Sequence, residues 1–460
     1  MLSVEFVEAS FCIALVCTGV VAWLAHQPSG TKEIVAHGAA FKIFQRRYLA
    51  GALLAMAADW LQGPYVYALY ESYGINHEQN ATLFVFGFGS SAVFGTFVGS
   101  LADRFGRRRL VFVYCGTYIA ACVTKHFRVF EVLLFGRVLA GISTSLLFSV
   151  FDSWLVCEHN SRGFLPSAVG ETFSMFFFGN SLVAIAAGTV AQWGADAMPL
   201  TESGVADNLM YGGYTAPFDI AAVALILCFI VVGAFWTENF GSPGDSKTSG
   251  PSFGELVAQV TQTPKLLCCG LTSAFFEGSM YIFVFFWTPS VTEQDAEKPP
   301  YGIIFASFMV CCMLGSKLYA LFAKTIAPEK MLPGLLAAAC MCHAAVLLSK
   351  NTWVTYLAFL AFEACVGMYF PMMGTLKGCI VPEEARATIY NIYRMPLNAI
   401  VVTVLVLKLT PSVGFCVTTG MLGVGAAVGM QLDGHMRADA ARDCDILDDV
   451  EVGQVAAKGR

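Results

Sequence analysis

Charged residues are scarce in this sequence, which excludes an ordinary soluble fold. Asp, Glu, Lys and Arg make up 13% of the 460 residues, whereas soluble globular domains carry about 25%. The formal net charge is −6, which argues against the basic face of a nucleic-acid-binding protein. Hydrophobic residues make up 57% of the chain, in recurring apolar runs of about 18 residues or more that can cross a bilayer. We therefore predict a polytopic α-helical membrane protein.

The motifs of common catalytic and metal sites are also missing. The sequence holds no Walker loop, no G-x-S-x-G nucleophile elbow and no pair of metal ligands at helical spacing. Most of the 16 cysteines lie inside apolar runs, where free cysteine behaves as a small hydrophobe. We expect neither an enzyme nor a cofactor, so any transport would be driven by a gradient.

One polar stretch, residues 99–109 (GSLADRFGRRR), interrupts the apolar runs with one acid and four arginines. Charged side chains are costly inside the bilayer, and an arginine excess favours the cytoplasmic face. The stretch resembles the signature loop between transmembrane helices 2 and 3 of the major facilitator superfamily, G-x-L-a-D-R-x-G-R-R. This resemblance implies gating roles, with the acid favouring the N-terminal end of a neighbouring helix, for Gly99, Asp103, Arg104, Gly106, Arg107 and Arg108.

The expected fold is that of the major facilitator superfamily, all α-helical, with two six-helix bundles plus one extra N-terminal transmembrane helix. Apolar segments lie near 2–25, 47–70, 80–101, 109–124, 131–151, 165–193, 216–236, 265–288, 302–324, 331–349, 353–376, 386–408 and 411–431. The signature loop makes 47–70 the first core helix and 2–25 the extra one. We predict the extra helix and its connector at 1–45, bundles at 46–236 and 265–432, a cytoplasmic linker at 237–264 with a short helix near Phe253–Val260, and an acidic cytoplasmic tail at 433–460.

The basic residues set the expected orientation. Most lysines and arginines fall in loops assigned to the cytoplasm, and the loops assigned outside hold Lys125, Arg128, Lys298, Lys350 and Lys408. By the positive-inside rule the N-terminus lies outside and the C-terminus in the cytoplasm. The first segment could instead be a cleaved signal peptide, but Glu5 and Glu8 stand where such a peptide is basic, which favours a retained helix.

A few ionisable residues lie within the predicted helices and are candidates for chemistry. Arg137 and Arg394 could hold an anion, because guanidinium groups bind oxyanions with paired hydrogen bonds; alternatively, each neutralises a nearby acid. Asp59 and Glu277 occupy matching places in the first helix of each half. Either they carry protons or they form internal ion pairs. The expected substrate-binding set is Arg137, Arg394, Tyr393, Asn391, Tyr65 and Gln62.

Several longer stretches carry a more specific resemblance. They are similar to the molybdate-anion transporter family, the branch called major facilitator superfamily domain-containing protein 5, and comprise 59–65 (DWLQGPY), 151–154 (FDSW) with Glu158 and His159, 282–289 (IFVFFWTP), 302–309 (GIIFASFM) and 394–397 (RMPL). The resemblance implies import of the molybdate dianion. A dianion entering a negative-inside cell faces roughly 4–5 kcal/mol per 100 mV, which coupling to two protons would remove.

Two other functions stay open. The chain could be a facilitator for an uncharged solute such as a sugar, with its buried charges paired among themselves. It could also be a non-transporting membrane sensor whose tail docks a partner. In each case we expect a monomer in a lipid bilayer, in the plasma membrane, with no nucleic-acid partner.

Overall fold

The computed structural model describes residues 4–25, 38–204, 206–240, 253–292, 299–349, 351–382 and 386–458. Inside these ranges, the description leaves out the side chains of residues 25, 100, 166–167, 253, 386–388, 391 and 440–458. Residues 241–252 of the predicted linker lie outside the described residues.

Helices dominate the described chain, and each predicted apolar segment coincides with one long helix except 47–70, which is divided between two helices. The helices are α1 (Val4–Ala25), α2 (Ala39–Gln62), α3 (Val66–Ser72), α4 (His77–Phe105), α5 (Arg107–Thr124), α6 (Phe130–Ser161), α7 (Pro166–Ala197), α8 (Ala216–Phe235), α9 (Phe253–Gln262), α10 (Pro264–Thr292), α11 (Tyr301–Phe322), α12 (Pro328–Leu348), α13 (Thr352–Ile380), α14 (Arg386–Val406) and α15 (Pro411–Lys458). Helix α9 confirms the short helix predicted in the linker, and α15 continues through the acidic segment.

Within the described residues, ten helices are long and apolar enough to cross a membrane. Helices α2, α5 and α14 are not among them; α2 and α5 carry several charged residues, whereas the apolar part of α14, Ile392–Val406, is shorter than 18 residues. All three helices hold predicted site residues: Asp59 lies in α2, Arg107 in α5 and Arg394 in α14. The helices that fall outside the ten candidate membrane spans therefore carry several of the predicted site residues.

The chain divides into two compact units. The first comprises Met1–Thr248, Phe285–Met313 and Val402–Pro411, and the second comprises Ser249–Val284, Leu314–Val401 and Ser412–Arg460. The first unit therefore includes two segments from the second half of the sequence. Helix α1 packs inside this unit, where the Thr18 hydroxyl lies 3.4 Å from the Val310 carbonyl. The predicted bundle boundaries stay a prediction.

Local sequence explains where the first helices begin and end. Helix α2 ends at Gln62 and α3 begins at Val66. The break falls at Gly63 and Pro64, because proline has no amide hydrogen to donate to the preceding turn. Helix α4 begins with a capping box. The Asn76 side chain accepts a 2.8 Å hydrogen bond from the Gln79 amide, and the Gln79 side chain accepts one of 3.2 Å from the Asn76 amide.

A small cap lies over the loop between α5 and α6. Strands β1 (Thr201–Glu202) and β2 (Met210–Tyr211) form an antiparallel pair. The Arg128 amide donates a 2.8 Å hydrogen bond to the Asn208 carbonyl, and Phe127 and Leu209 form a β-bridge. The cap therefore fixes the backbone of the 125–129 loop.

Candidate functional site

Arg137 lies inside the first unit, where α6 packs on α4. Its Nε donates a 3.3 Å hydrogen bond to the Leu83 carbonyl, and its guanidinium carbon lies 4.5 Å from the centre of the Phe84 ring. Gly87 permits this approach, because a β-carbon there would lie 2.8 Å from an Arg137 terminal nitrogen. Helix α4 therefore carries a glycine at the place where α6 inserts its arginine.

Lys125 is buried in the same unit, although its place after α5 predicts an exposed loop residue. It is 1% exposed, and its Nζ donates a 2.6 Å hydrogen bond to the Tyr70 hydroxyl. The Tyr73 hydroxyl donates a 2.6 Å hydrogen bond to the Lys125 carbonyl, which fixes the backbone. Sequence analysis missed Lys125 because the count of basic residues treats every loop lysine as solvated.

Arg137 and Lys125 form what we call the cationic pair. The Arg137 charge acts on both Lys125 and the Tyr70 hydroxyl, so both cations approach one phenol oxygen. Across the described residues, no carboxylate oxygen lies within 4.0 Å of either side chain. Burial, followed by the Arg137 charge, lowers the pKa of Lys125 well below its usual value. The described part of the chain therefore brings two basic side chains together without pairing either of them with a carboxylate.

Asp59 lies in α2 of the same unit and has a neutral partner. The Tyr118 hydroxyl donates a 2.6 Å hydrogen bond to its Oδ1, and no lysine or arginine in the described ranges lies within 4.0 Å of it. The Arg137 charge also acts on Tyr118. Tyr118 is therefore the one side chain that links Asp59 to the cationic pair. Of the two interpretations considered for Asp59, the internal ion pair is not formed.

Glu277, its counterpart in the second unit, forms the ion pair that Asp59 lacks. Its Oε1 lies 3.1 Å from Lys377 Nζ and accepts a 3.1 Å hydrogen bond from the Tyr369 hydroxyl. Both partners of the ion pair are largely buried, at 17% and 18% side-chain exposure. The structure therefore favours the ion-pair interpretation of Glu277, and its proton-coupling role stays a prediction.

The other predicted residues of the second unit lie on α14. Arg394 is exposed, with no carboxylate oxygen of the described residues within 4.0 Å. Tyr393 is buried, and its hydroxyl donates a 2.8 Å hydrogen bond to the Leu266 carbonyl. Its ring lies against Gly270, where a β-carbon would come within 2.5 Å. Tyr393 therefore packs α14 on α10, and the Asn391 side chain lies outside the description.

Gln62 and Tyr65 are buried and hydrogen-bonded within the first unit. Gln62 donates a 3.0 Å hydrogen bond to the Ala58 carbonyl of its own helix. The Tyr65 hydroxyl donates a 2.9 Å hydrogen bond to Gln192 Oε1, which also accepts one of 2.9 Å from the Gly302 amide. Gln192 joins α7 to α11 in this way, and the sequence carried no signal for it.

The signature loop is arranged differently from the expectation. Asp103 forms an ion pair of 2.7 Å with Arg107 and is half exposed. The N-terminal end of α5 is occupied instead by Glu238, whose two carboxylate oxygens accept from the amides of Arg108 at 2.9 Å and Arg109 at 3.2 Å. Glu238 stabilises a helix that begins with three arginines, an unfavourable start for a helix dipole.

The remaining signature residues fit around this contact. Gly106 has φ +98°, and a β-carbon there would collide with the Glu238 carboxylate. Arg104 lies on the ring of Phe105, at 5.4 Å from its centre, and Gly99 has open space beside it. The gating roles of these residues stay a prediction.

A cavity of about 310 Å³ lies elsewhere in the first unit. Its lining includes Tyr67, Glu71, Asn76 and His77, and none of the predicted site residues. His77 Nε2 lies 2.9 Å from the Leu409 carbonyl, and its Nδ1 lies 3.1 Å from the Tyr67 hydroxyl. The cavity is therefore separate in its lining from the cationic pair.

The known proteins that match this chain in sequence are transporters. A family described as sugar transporters with twelve transmembrane segments matches residues 10–366. A molybdate-anion transporter of Takifugu rubripes is 32% identical over 429 residues, covering 85% of each chain. That of Danio rerio is 33% identical over 429 residues, covering 85% of this chain and 84% of its own. That of Xenopus tropicalis is 33% identical over 382 residues, covering 81% and 80%.

Solved structures support the same fold. The nucleoside transporter NupG (D323A mutant) aligns with a TM-score of 0.65 and 11% identity, covering 84% of this chain and 98% of its own. A bacterial homologue of the human lysosomal transporter Spinster gives 0.65 at 12% identity, covering 86% and 97%. A D-xylose–proton symporter gives 0.62 at 12% identity, covering 85% and 97%.

Proposed function

Because this chain belongs to the molybdate-anion transporter family within the major facilitator superfamily, we propose that it imports molybdate by proton-coupled alternating access. The cationic pair carries this proposal. Burying two cationic side chains without a counterion is costly, and a fold that maintains such a site gains from an anion that enters it. Molybdate, a tetrahedral dianion, offers oxygens to a guanidinium fork and to an amine together.

Proton coupling follows from the charge of the substrate. The dianion moves against a negative-inside potential at a cost of roughly 4–5 kcal/mol per 100 mV, and two accompanying protons cancel that cost. Asp59 suits one of them, because it lies partly buried beside a hydroxyl rather than a cation. Glu277 is the other candidate, which would have to release Lys377 to take a proton.

The remaining details of transport are proposed from sequence. The signature loop governs the exchange between outward and inward states, with the N-terminus outside, the C-terminus in the cytoplasm and the plasma membrane as the site of action. Arg394 is proposed as a further anion contact because it is exposed and unpaired among the described residues.

The experiment that tests this proposal is molybdate uptake into proteoliposomes under an imposed pH gradient. We expect Arg137→Gln to lose roughly tenfold or more of the uptake, because one charge-assisted contact to an oxyanion contributes about 1.5–3 kcal/mol. Arg128→Gln is the matched control, since Arg128 is an exposed arginine of the neighbouring loop. Wild-type uptake by the Arg137 variant would contradict the anion site. Uptake that ignores the pH gradient would contradict proton coupling.

A second function, transport of an uncharged sugar, is favoured by one observation. The matching family is described as sugar transporters. The two functions differ in their competitors: tungstate and sulfate should reduce uptake through the cationic pair, whereas glucose and xylose should not. Competition by the sugars alone would support the second function.

A further inference from the structure

The cationic pair raises a problem of charge, because no carboxylate of the described residues forms an ion pair with either member. Lys125 is 1% exposed, and its Nζ contacts the Tyr70 hydroxyl at 2.6 Å in the field of Arg137. An arginine keeps its proton at any ordinary pH, whereas a buried lysine can give its proton up. Between two such neighbours, the lysine is the group that becomes neutral when no anion is present.

The geometry points to Lys125 as a proton carrier: we propose that its amine takes up one proton when molybdate binds beside Arg137 and releases that proton when the anion leaves. This inference rests on the proposed function and extends it by naming a coupling group that is not a carboxylate. It also provides a carrier that does not have to break an ion pair, as Glu277 would.

The step balances in protons and charge. On the outer side the Lys125 lone pair forms a new N–H bond with a proton from solution, and the resulting ammonium and the Arg137 guanidinium both face the dianion. When the anion departs, the N–H bond breaks and the proton leaves Lys125 with it. One proton carried this way reduces the transported charge from −2 to −1, and a second on Asp59 brings it to zero.

The surroundings of Lys125 leave the anion as the partner that can change its charge. The groups that face it or act on its immediate neighbours come from four elements and the adjoining loop: Tyr70 of α3, Tyr73 after α3, Cys122 of α5, Arg137 of α6, Asp219 of α8, and Arg128 of the loop. Asp219, the acid of this set, forms an ion pair of 2.8 Å with His126. Asp219 is therefore already paired with His126.

Hydroxyl contacts hold Lys125 ready for this change. A neutral amine and an ammonium can both hydrogen-bond to the Tyr70 hydroxyl, so the side chain does not have to move when it changes charge. The Tyr73 hydroxyl anchors the Lys125 backbone carbonyl at 2.6 Å. The two tyrosines thus position the amine in either state.

The test is calorimetric titration of sodium molybdate into the full-length protein in lipid nanodiscs at about pH 7, in buffers of different ionisation enthalpy. The slope of binding heat against buffer enthalpy gives the number of protons taken up. We expect Lys125→Arg to bind molybdate while taking up about one proton fewer than wild type, because a guanidinium is already charged. Lys408→Arg is the matched control, since Lys408 is an exposed loop lysine paired with Glu78, and it should keep the wild-type number.

A second variant makes the test independent of how arginine fits. Lys125→Gln should bind molybdate roughly tenfold more weakly, and its affinity should depend less on pH between about 6 and 8 than that of wild type. An unchanged proton number in Lys125→Arg, or an unchanged pH dependence in Lys125→Gln, overturns the inference while leaving molybdate transport standing. Absence of molybdate binding and of uptake in wild type would instead remove the proposed function.

Discussion

At the scale of single residues, two buried glutamates differ in whether they have an ionic partner. Glu277 has Lys377 and Tyr369 as partners. Glu363 is 6% exposed, and among the described residues no cation lies within 4.0 Å of it. Two glutamates on membrane helices therefore differ in whether a cation among the described residues neutralises them.

These two glutamates give a paired prediction about stability. Glu277→Gln should lower the melting temperature of the detergent-solubilised protein by several degrees, because it leaves the Lys377 ammonium buried without its counterion. Glu363→Gln should leave the melting temperature unchanged or raise it, since a neutral amide replaces a carboxyl without an ionic partner. Differential scanning fluorimetry of the two variants measures both values, and equal losses would refute the distinction.

Gly87 allows a test of the close packing around Arg137. A β-carbon at Gly87 would lie 2.8 Å from the guanidinium, so Gly87→Ala should displace the arginine and reduce molybdate uptake severalfold without unfolding α4. Gly95→Ala on the same helix is the matched control, since its β-carbon would meet its nearest neighbour, Ser145, at 3.8 Å. Uptake rates of both variants at equal membrane expression decide the matter. Equal rates would show that the guanidinium position is unimportant.

At the scale of elements, helix α5 depends on a residue far away in sequence. Its first turn consists of Arg107, Arg108 and Arg109, whose charges oppose the positive end of the helix dipole. Glu238 lies just after α8, and its two carboxylate oxygens accept hydrogen bonds from the free amides of this turn. The segment after α8 is also tied to α6, because Trp154 donates a 2.8 Å hydrogen bond to the Thr237 carbonyl. The start of α5 is therefore fixed by α6 and α8 together.

This contact predicts that Glu238 matters more to the stability of the first unit than the signature acid does. Glu238→Gln should destabilise the protein by about 1 kcal/mol, because it removes the negative charge at the N-terminal end of α5. Asp103→Asn should cost less, since Asp103 is half exposed in an i,i+4 pair with Arg107. Chemical denaturation of both variants in micelles gives the comparison, and a larger loss for Asp103→Asn would contradict it.

The cap over the α5–α6 loop should respond to pH. A hydrogen bond that His126 donates to the Asp219 carboxylate, opposed by partial burial, raises the pKa of His126 above its ordinary value. A group whose pKa is raised on folding stabilises fully below its unfolded pKa of about 6.5 and loses that contribution as pH rises through the folded value. Wild type should therefore lose more thermal stability than His126→Gln between about pH 5.5 and 8.5. Melting temperatures across that range measure the difference, and parallel profiles would contradict the prediction.

At the scale of the whole molecule, the helices were readable from sequence and the site was only partly so. Hydropathy marks spans because a bilayer demands long apolar helices, and the Gly63–Pro64 break follows from proline chemistry. Arg137 was found because charge inside an apolar run stands out. Lys125 was not found, since only the packing of Tyr70 and Tyr73 shows that a loop lysine is buried. Glu238 was missed for a similar reason, as no local pattern reveals a cap contributed from a distant segment.

The interruption between α2 and α3 has a mechanical consequence. Asp59 lies before it, in α2, and Tyr70 lies after it, in α3. The acid and the phenol that contacts Lys125 are therefore carried by two separate helices, whereas an unbroken helix would hold both along a single axis.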